Sequence, residues 1–165
     1  SKAKEAHEKL SKAKELVKQG QLDQGIALAE EAKRLDPKNA EASSLAKKWT
    51  DERQKVIKHI TQFKRFIDEN RLKEAQSEID SAKRLHPKYP PVVEAEAQLK
   101  SKEAEEKKKA KESAERLVEA KDLFKQGKLD EAIKIVEEQA RLNPNNKEAS
   151  TLAKKWKTQK EATDR

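Results

Sequence analysis

Three stretches of the chain repeat one phrase in which helix-breaking residues stand at fixed places. The first, KQGQLDQGIALAEEAKRLDPKN, spans residues 18–39, and the third, KQGKLDEAIKIVEEQARLNPNN, spans residues 125–146. The middle copy, DENRLKEAQSEIDSAKRLHPKY, spans residues 68–89 and has Asn where the others have Gly. Gly and Asn accept the positive φ that ends many helices, and Pro cannot continue a helix. The pattern predicts three helical hairpins that turn at Gly20, Asn70 and Gly127.

The residues between each turn and the next proline recur at helical spacing and place a small residue on the apolar face. This residue is Gly25, Ala75 or Ala132, and its small size predicts a close approach of the two helices. The repeated phrases contain Pro37, Pro87 and Pro144, and the unit that ends at Pro144 is longer than the unit that ends at Pro87. The difference is close to two helical turns, so the longer unit keeps the same face inward. Segments Ser1–Lys58 and Lys108–Arg165 match at one constant offset, which indicates a duplication.

Long helices are predicted between the hairpins. The stretch from Pro91 to about residue 126 contains no Gly and no further Pro, and its centre places Glu and Lys four residues apart. This favours one long helix with a solvated centre. We therefore expect an all-α fold in one domain over residues 1–165, a solenoid-like array with a C-terminal capping helix. The predicted hairpins lie at about 2–36, 39–86 and 91–143, and the predicted capping helix at about 146–163.

At these residues the chain resembles the tetratricopeptide repeat (TPR) family. The likeness is carried by QGQLDQGI with LDPKN in the first copy and by QGKLDEAI with LNPNN in the third. The resemblance implies antiparallel helix pairs stacked into a solenoid, and a protein–protein interaction scaffold as the function. The first helices are extended relative to the family. They also place Lys9, His59 and Arg116 where the family usually has a large aromatic residue.

The composition restricts the functional classes. Charged residues make up 42% of the chain, aromatic residues 4%, and the net charge is +8. Cys is absent, which excludes disulfides and thiolate ligands and leaves the cellular compartment open. No apolar run approaches the roughly 18 residues of a membrane span. The three His lack ligand spacing and the three Gly cannot form a phosphate loop, so we expect no enzyme activity, cofactor or metal site.

Two sets of residues recur on the first helices and are predicted to contact a partner. The apolar set stands where the family's helices tend to face the ligand groove, and the lysine set recurs about a turn or two further on. An acidic or amphipathic peptide would suit both sets, whereas solvated surface lysine is the simpler interpretation of the second. The predicted partner-binding residues are Leu10, Ile60 and Leu117, with Lys14, Lys18, Lys64, Lys121 and Lys125.

Two alternatives to a peptide-binding scaffold stay open. The basic charge could bind nucleic acid or anionic glycans without specificity, although the shortage of Arg and aromatic residues argues against sequence-specific readout. The chain could also be an engineered repeat architecture without a ligand. Met is absent and the first residue is Ser, so we expect an excised or engineered sequence.

Overall fold

The computed structural model of the chain describes residues 1–164. The prediction of an all-α fold is confirmed, because these residues form seven α-helices and no strand. Arg165, the last residue of the second duplicated segment, lies outside the described residues. The helices are α1 (Lys2–Lys18), α2 (Leu22–Leu35), α3 (Ala40–Asp68), α4 (Leu72–Leu85), α5 (Pro90–Lys125), α6 (Leu129–Leu142) and α7 (Lys147–Asp164).

A short left-handed turn follows α1, α3 and α5. The residue with positive φ is Gly20 (+90°), Asn70 (+57°) or Gly127 (+81°). In each turn the amide of the following residue bonds to the carbonyl oxygen five residues earlier, as Gln21 does to Leu16 at 2.8 Å. This hydrogen-bond pattern is a Schellman motif, which satisfies carbonyl groups that the helix end leaves open. The chain can therefore reverse direction within a very short turn.

A side-chain cap begins the helix after the first and third proline turns. The side-chain oxygen of Asn39 accepts a hydrogen bond from the amide of Ala42 at 3.0 Å, and that of Asn146 accepts one from Ala149 at 3.1 Å. Such caps contribute about 1 kcal/mol to helix stability. Both caps lie in the duplicated segments, so α3 and α7 begin at equivalent positions.

The chain forms two compact units, the first over residues 1–101 and the second beginning at Lys102. The first unit buries a core from α1 to α4 and the start of α5, and the second buries a core from the end of α5, α6 and α7. In α5, Ser113 is the one buried residue between Leu99 and Leu117. Each unit thus has a core of its own, and the single solenoid-like domain stays a prediction.

The predicted close approach of helices at Gly25 is confirmed. A β-carbon on this residue would overlap Cγ2 of Val17 and would lie 3.1 Å from the carbonyl oxygen of Ala13. Both neighbours belong to α1, so α1 and α2 approach each other where the side chain is absent.

A buried tryptophan occupies the same place in each unit. Trp49 and Trp156 are both almost fully buried. In the second unit Phe124 stacks on Trp156, with ring centroids 4.8 Å apart and planes 11° apart. The equivalent residue of the first unit is Val17, which packs against the edge of that core. The first unit cannot repeat this stacking, because valine has no aromatic ring.

Candidate functional site

The three apolar residues predicted to contact a partner are buried. The exposed fraction is 1% for Leu10, 7% for Ile60 and 4% for Leu117. All three belong to the clusters that also hold the second helix of their hairpin, so this stripe of the first helix packs inward. The expectation that these residues form an apolar ligand surface is therefore corrected. Their main role is to remove apolar area from water during folding.

Two of the five predicted lysines form the same ion pair in the two units. Nζ of Lys14 lies 2.8 Å from a carboxylate oxygen of Glu41, and Nζ of Lys121 lies 2.5 Å from one of Glu148. The offset between the two pairs is that of the duplicated segments, so the duplication preserves both partners. Each pair joins a first helix to the start of the helix after the proline turn. Because all four side chains are about half exposed, each pair contributes less than about 1 kcal/mol.

The other predicted lysines are exposed at the ends of first helices or along them. Lys18 and Lys125 lie in the last turns of α1 and α5, where a cation interacts favourably with the helix dipole. Lys64 lies on the surface of α3. A partner for these three residues stays a prediction.

A groove of about 500 Å³ lies within the second unit, between α5, the α6–α7 turn and the start of α7. We call it the α5–α7 groove. On the α5 side it exposes Ala110, Ala114 and Val118, which stand four residues apart and therefore share one helix face. Leu117 lies at its buried floor, and Lys121 lines it as well. Two of the eight predicted partner residues thus line this groove.

The opposite wall of the α5–α7 groove is polar and held in place. Asn146 donates from Nδ2 to Oγ of Ser113 at 2.7 Å, while its Oδ1 caps α7. These two bonds fix the orientation of the amide, and Ser113 is almost fully buried. Asn143 and Asn145 complete the wall. The groove therefore presents amide groups opposite an apolar strip.

One signal in the sequence could have located the strip. Val118 is a large apolar residue that follows the buried Leu117, out of phase with the core stripe of α5. Exposure of such an apolar side chain to water is unfavourable, so its position marks this face of the helix as a candidate contact surface. The polar wall could not be read from the sequence in the same way, because Ser113 and Asn146 are 33 residues apart.

A second polar cluster, which the sequence did not predict, lies in the first unit. The carboxylate of Asp23 accepts hydrogen bonds from the hydroxyl of Tyr89 at 2.9 Å and from Nη1 of Arg53 at 3.0 Å. Burial of the ring, followed by the bond to Asp23, raises the pKa of Tyr89 above 10.0. This cluster joins α2 and α3 to the residue before α5.

Two histidine–carboxylate contacts in the first unit hold neighbouring elements together. Nδ1 of His59 lies 2.7 Å from Glu78, and Nε2 of His86 lies 3.1 Å from Glu52. Each contact joins two helices or a helix and a turn. Among residues 1–164, no group of three His, Cys, Asp or Glu side chains is arranged to hold a metal ion.

Comparisons with known proteins assign no family to this chain, so its class rests on the helical fold alone. No protein-family model matches it, and neither the curated proteins nor the solved structures include a significant match. Within the described part of the chain, every helix is too short or too polar to cross a membrane.

Proposed function

We propose that the chain is a non-enzymatic, TPR-like protein–protein interaction scaffold whose α5–α7 groove holds an amphipathic peptide. The observation that carries this proposal is the exposed apolar strip of Ala110, Ala114 and Val118 opposite a wall of asparagine side chains. The resemblance of the three hairpins to the TPR family supports the same class of function.

The apolar strip suits the buried face of a peptide. Val118 is 59% exposed, and the two alanines on its face lie along the same groove. Single exposed apolar residues are common on protein surfaces, but a strip inside a concave site is typical of binding. The groove volume of about 500 Å³ falls within the range of about 300–1,000 Å³ seen for ligand sites. A few apolar side chains of a peptide would fit it.

The charged lining of the groove is Lys121 with Glu106 and Glu148, so a peptide that also carries carboxylates depends on the lysines of this end of α5. Lys121 lines the groove, and Lys125 is exposed one turn further along α5. Glu148 already pairs with Lys121, so a peptide carboxylate would compete for Lys121 or pair with Lys125. The asparagines of the opposite wall can donate and accept hydrogen bonds with a peptide backbone.

Fluorescence anisotropy with a labelled amphipathic acidic peptide of about 15 residues tests the proposal. We expect saturable binding to the full chain. The variant Val118→Asp should bind at least about tenfold more weakly, because it places an unpaired charge against the apolar face of the peptide. Val93→Asp is the matched control, since Val93 is 52% exposed on the same helix and does not line the groove.

Salt separates this proposal from the polyanion alternative, which the net charge of +8 favours. Binding through the apolar strip should persist from about 0.1 M to about 0.5 M salt, whereas binding to nucleic acid or an anionic glycan should fall steeply. Equal affinities of the Val118 and Val93 variants would contradict the groove assignment. A failure to bind any peptide or polyanion would favour the architecture without a ligand.

A further inference from the structure

In the first unit, the turn before α5 docks onto the edge of the first hairpin. The carbonyl group of Lys88 lies against Gly20 so closely that a β-carbon there would collide with it. The hydroxyl of Tyr89 donates to Asp23 at 2.9 Å, and Arg53 donates to the same carboxylate at 3.0 Å. At this edge of the first hairpin, Gly20 contacts a main-chain carbonyl group and Asp23 binds a tyrosine hydroxyl, and both groups come from one turn.

The second unit repeats this edge, and none of its described residues lies against the turn glycine as Lys88 lies against Gly20. In the duplicated segments, Gly127, Asp130 and Lys160 are equivalent to Gly20, Asp23 and Arg53. Nζ of Lys160 lies 2.5 Å from the carboxylate of Asp130, and this pair corresponds to the pair of Arg53 and Asp23 in the first unit. A β-carbon on Gly127 would meet no atom within 4 Å. We call Gly127, Asp130 and Lys160 the Gly127 edge.

The middle hairpin lacks the same chemistry. Its turn residue is Asn70, which has a φ of +57° and carries the β-carbon that Gly20 lacks. The residue equivalent to Asp23 is Lys73, which cannot accept a hydrogen bond from a tyrosine. Glycine and aspartate therefore stand together at the two edges of the duplicated segments and not at the middle one.

We propose that the Gly127 edge binds the end of a helix in another protein, one in which the helix is followed by a Pro-Lys-Tyr turn. The tyrosine hydroxyl of this partner donates to Asp130, and the carbonyl group before the tyrosine lies against Gly127. In the first unit Leu85, two residues before the proline, packs against the core of that unit. Phe124 provides the apolar surface for the corresponding residue of the partner.

A second copy of this chain is a poorer occupant than another protein. Its own Tyr89 is held by its own Asp23, and its own Lys88 lies against Gly20. Releasing this turn would cost the contacts of the first unit before any new contact forms. The proposed occupant is therefore a turn of the same chemistry that is not already held in this way.

A synthetic peptide with the sequence of Leu72–Val92 is the probe, because it contains α4 and the complete turn. We expect this peptide, labelled at its N-terminus, to bind the full chain with one site per chain in anisotropy titrations. The charge-assisted hydrogen bond predicts a loss of about tenfold in affinity for the protein variant Asp130→Asn. A peptide with Tyr89→Phe should lose a similar factor, since it cannot donate to Asp130.

Two control variants keep the outcome specific. Asp122→Asn makes the same charge change at an exposed residue of α5 that does not line the cavity beside Gly127, and this variant should bind the peptide as the unaltered chain does. Val118→Asp should also leave this binding unchanged, so a failure here is distinguishable from a failure of the groove proposal. No saturation up to about 1 mM peptide, or equal affinities of the Asp130 and Asp122 variants, would overturn the inference.

Discussion

The two turn glycines provide a matched pair that separates backbone strain from packing. Gly20 and Gly127 have φ values of +90° and +81°, so alanine at either position suffers nearly the same strain. That strain costs about 1–2 kcal/mol for a residue with a β-carbon. Their surroundings differ, since a β-carbon on Gly20 would lie 2.8 Å from Cβ of Lys88 and collide with its carbonyl group, whereas Gly127 is open.

The difference predicts unequal losses of stability. Gly127→Ala should lower the free energy of unfolding of its unit by about 1–2 kcal/mol, from strain alone. Gly20→Ala should lower it by about 2–5 kcal/mol, because displacing the main chain of Lys88 adds an overpacking cost of about 1–3 kcal/mol. Part of that loss would come from weakened contacts of Tyr89.

Urea unfolding followed by tryptophan fluorescence measures each unit by itself. With Trp156→Phe in the background, Trp49 reports the first unit, and with Trp49→Phe the signal reports the second. Each glycine variant is compared with its own single-tryptophan parent. Equal losses for the two glycines, or a larger loss at Gly127, would refute the assignment of Gly20 as a packing contact.

Two further predictions concern aromatic residues. Because the pKa of Tyr89 is raised above 10.0 by burial and by its bond to Asp23, its contribution to stability is complete below pH 10.0 and declines as pH rises through the folded-state pKa. Thermal melts between about pH 8 and about pH 11 should therefore bring the unaltered chain closer to Tyr89→Phe, and a constant difference would contradict this. Phe124→Ala should destabilise the second unit by about 2 kcal/mol and shift Trp156 emission to longer wavelength, and unchanged emission would show that the stacking does not shield the indole.

The positions of helix ends follow from local chemistry and could be predicted from the sequence. Gly20 and Asn70 stand where the chain needs a positive φ, and few other residues accept that conformation. The long α5 follows in the same way from a stretch without Gly or further Pro. Of the Glu and Lys residues four apart in its centre, Glu105 and Lys109 form an ion pair at 3.4 Å. Backbone preferences of single residues decide these features.

The candidate sites depend on contacts between distant residues and could be predicted only in part. The sequence predicted Leu117 as a partner contact, but Leu117 is buried, because one sequence could not decide which stripe of a first helix faces the core and which faces solvent. The cluster of Asp23 and Tyr89 joins residues 66 positions apart, and no periodicity connects them. Long-range packing decides these features, and one sequence contains no direct record of it.

The ion pairs of this chain have a practical consequence for experiments in concentrated electrolyte. Within the described residues, every pair formed by a lysine or arginine with a carboxylate leaves both side chains at least 30% exposed. Exposed pairs of this kind contribute little, so screening them at about 1 M salt should remove little stability from either unit. If a ligand dissociates at such a salt concentration, the loss of binding would then reflect a weakened interaction with a protein that is still folded.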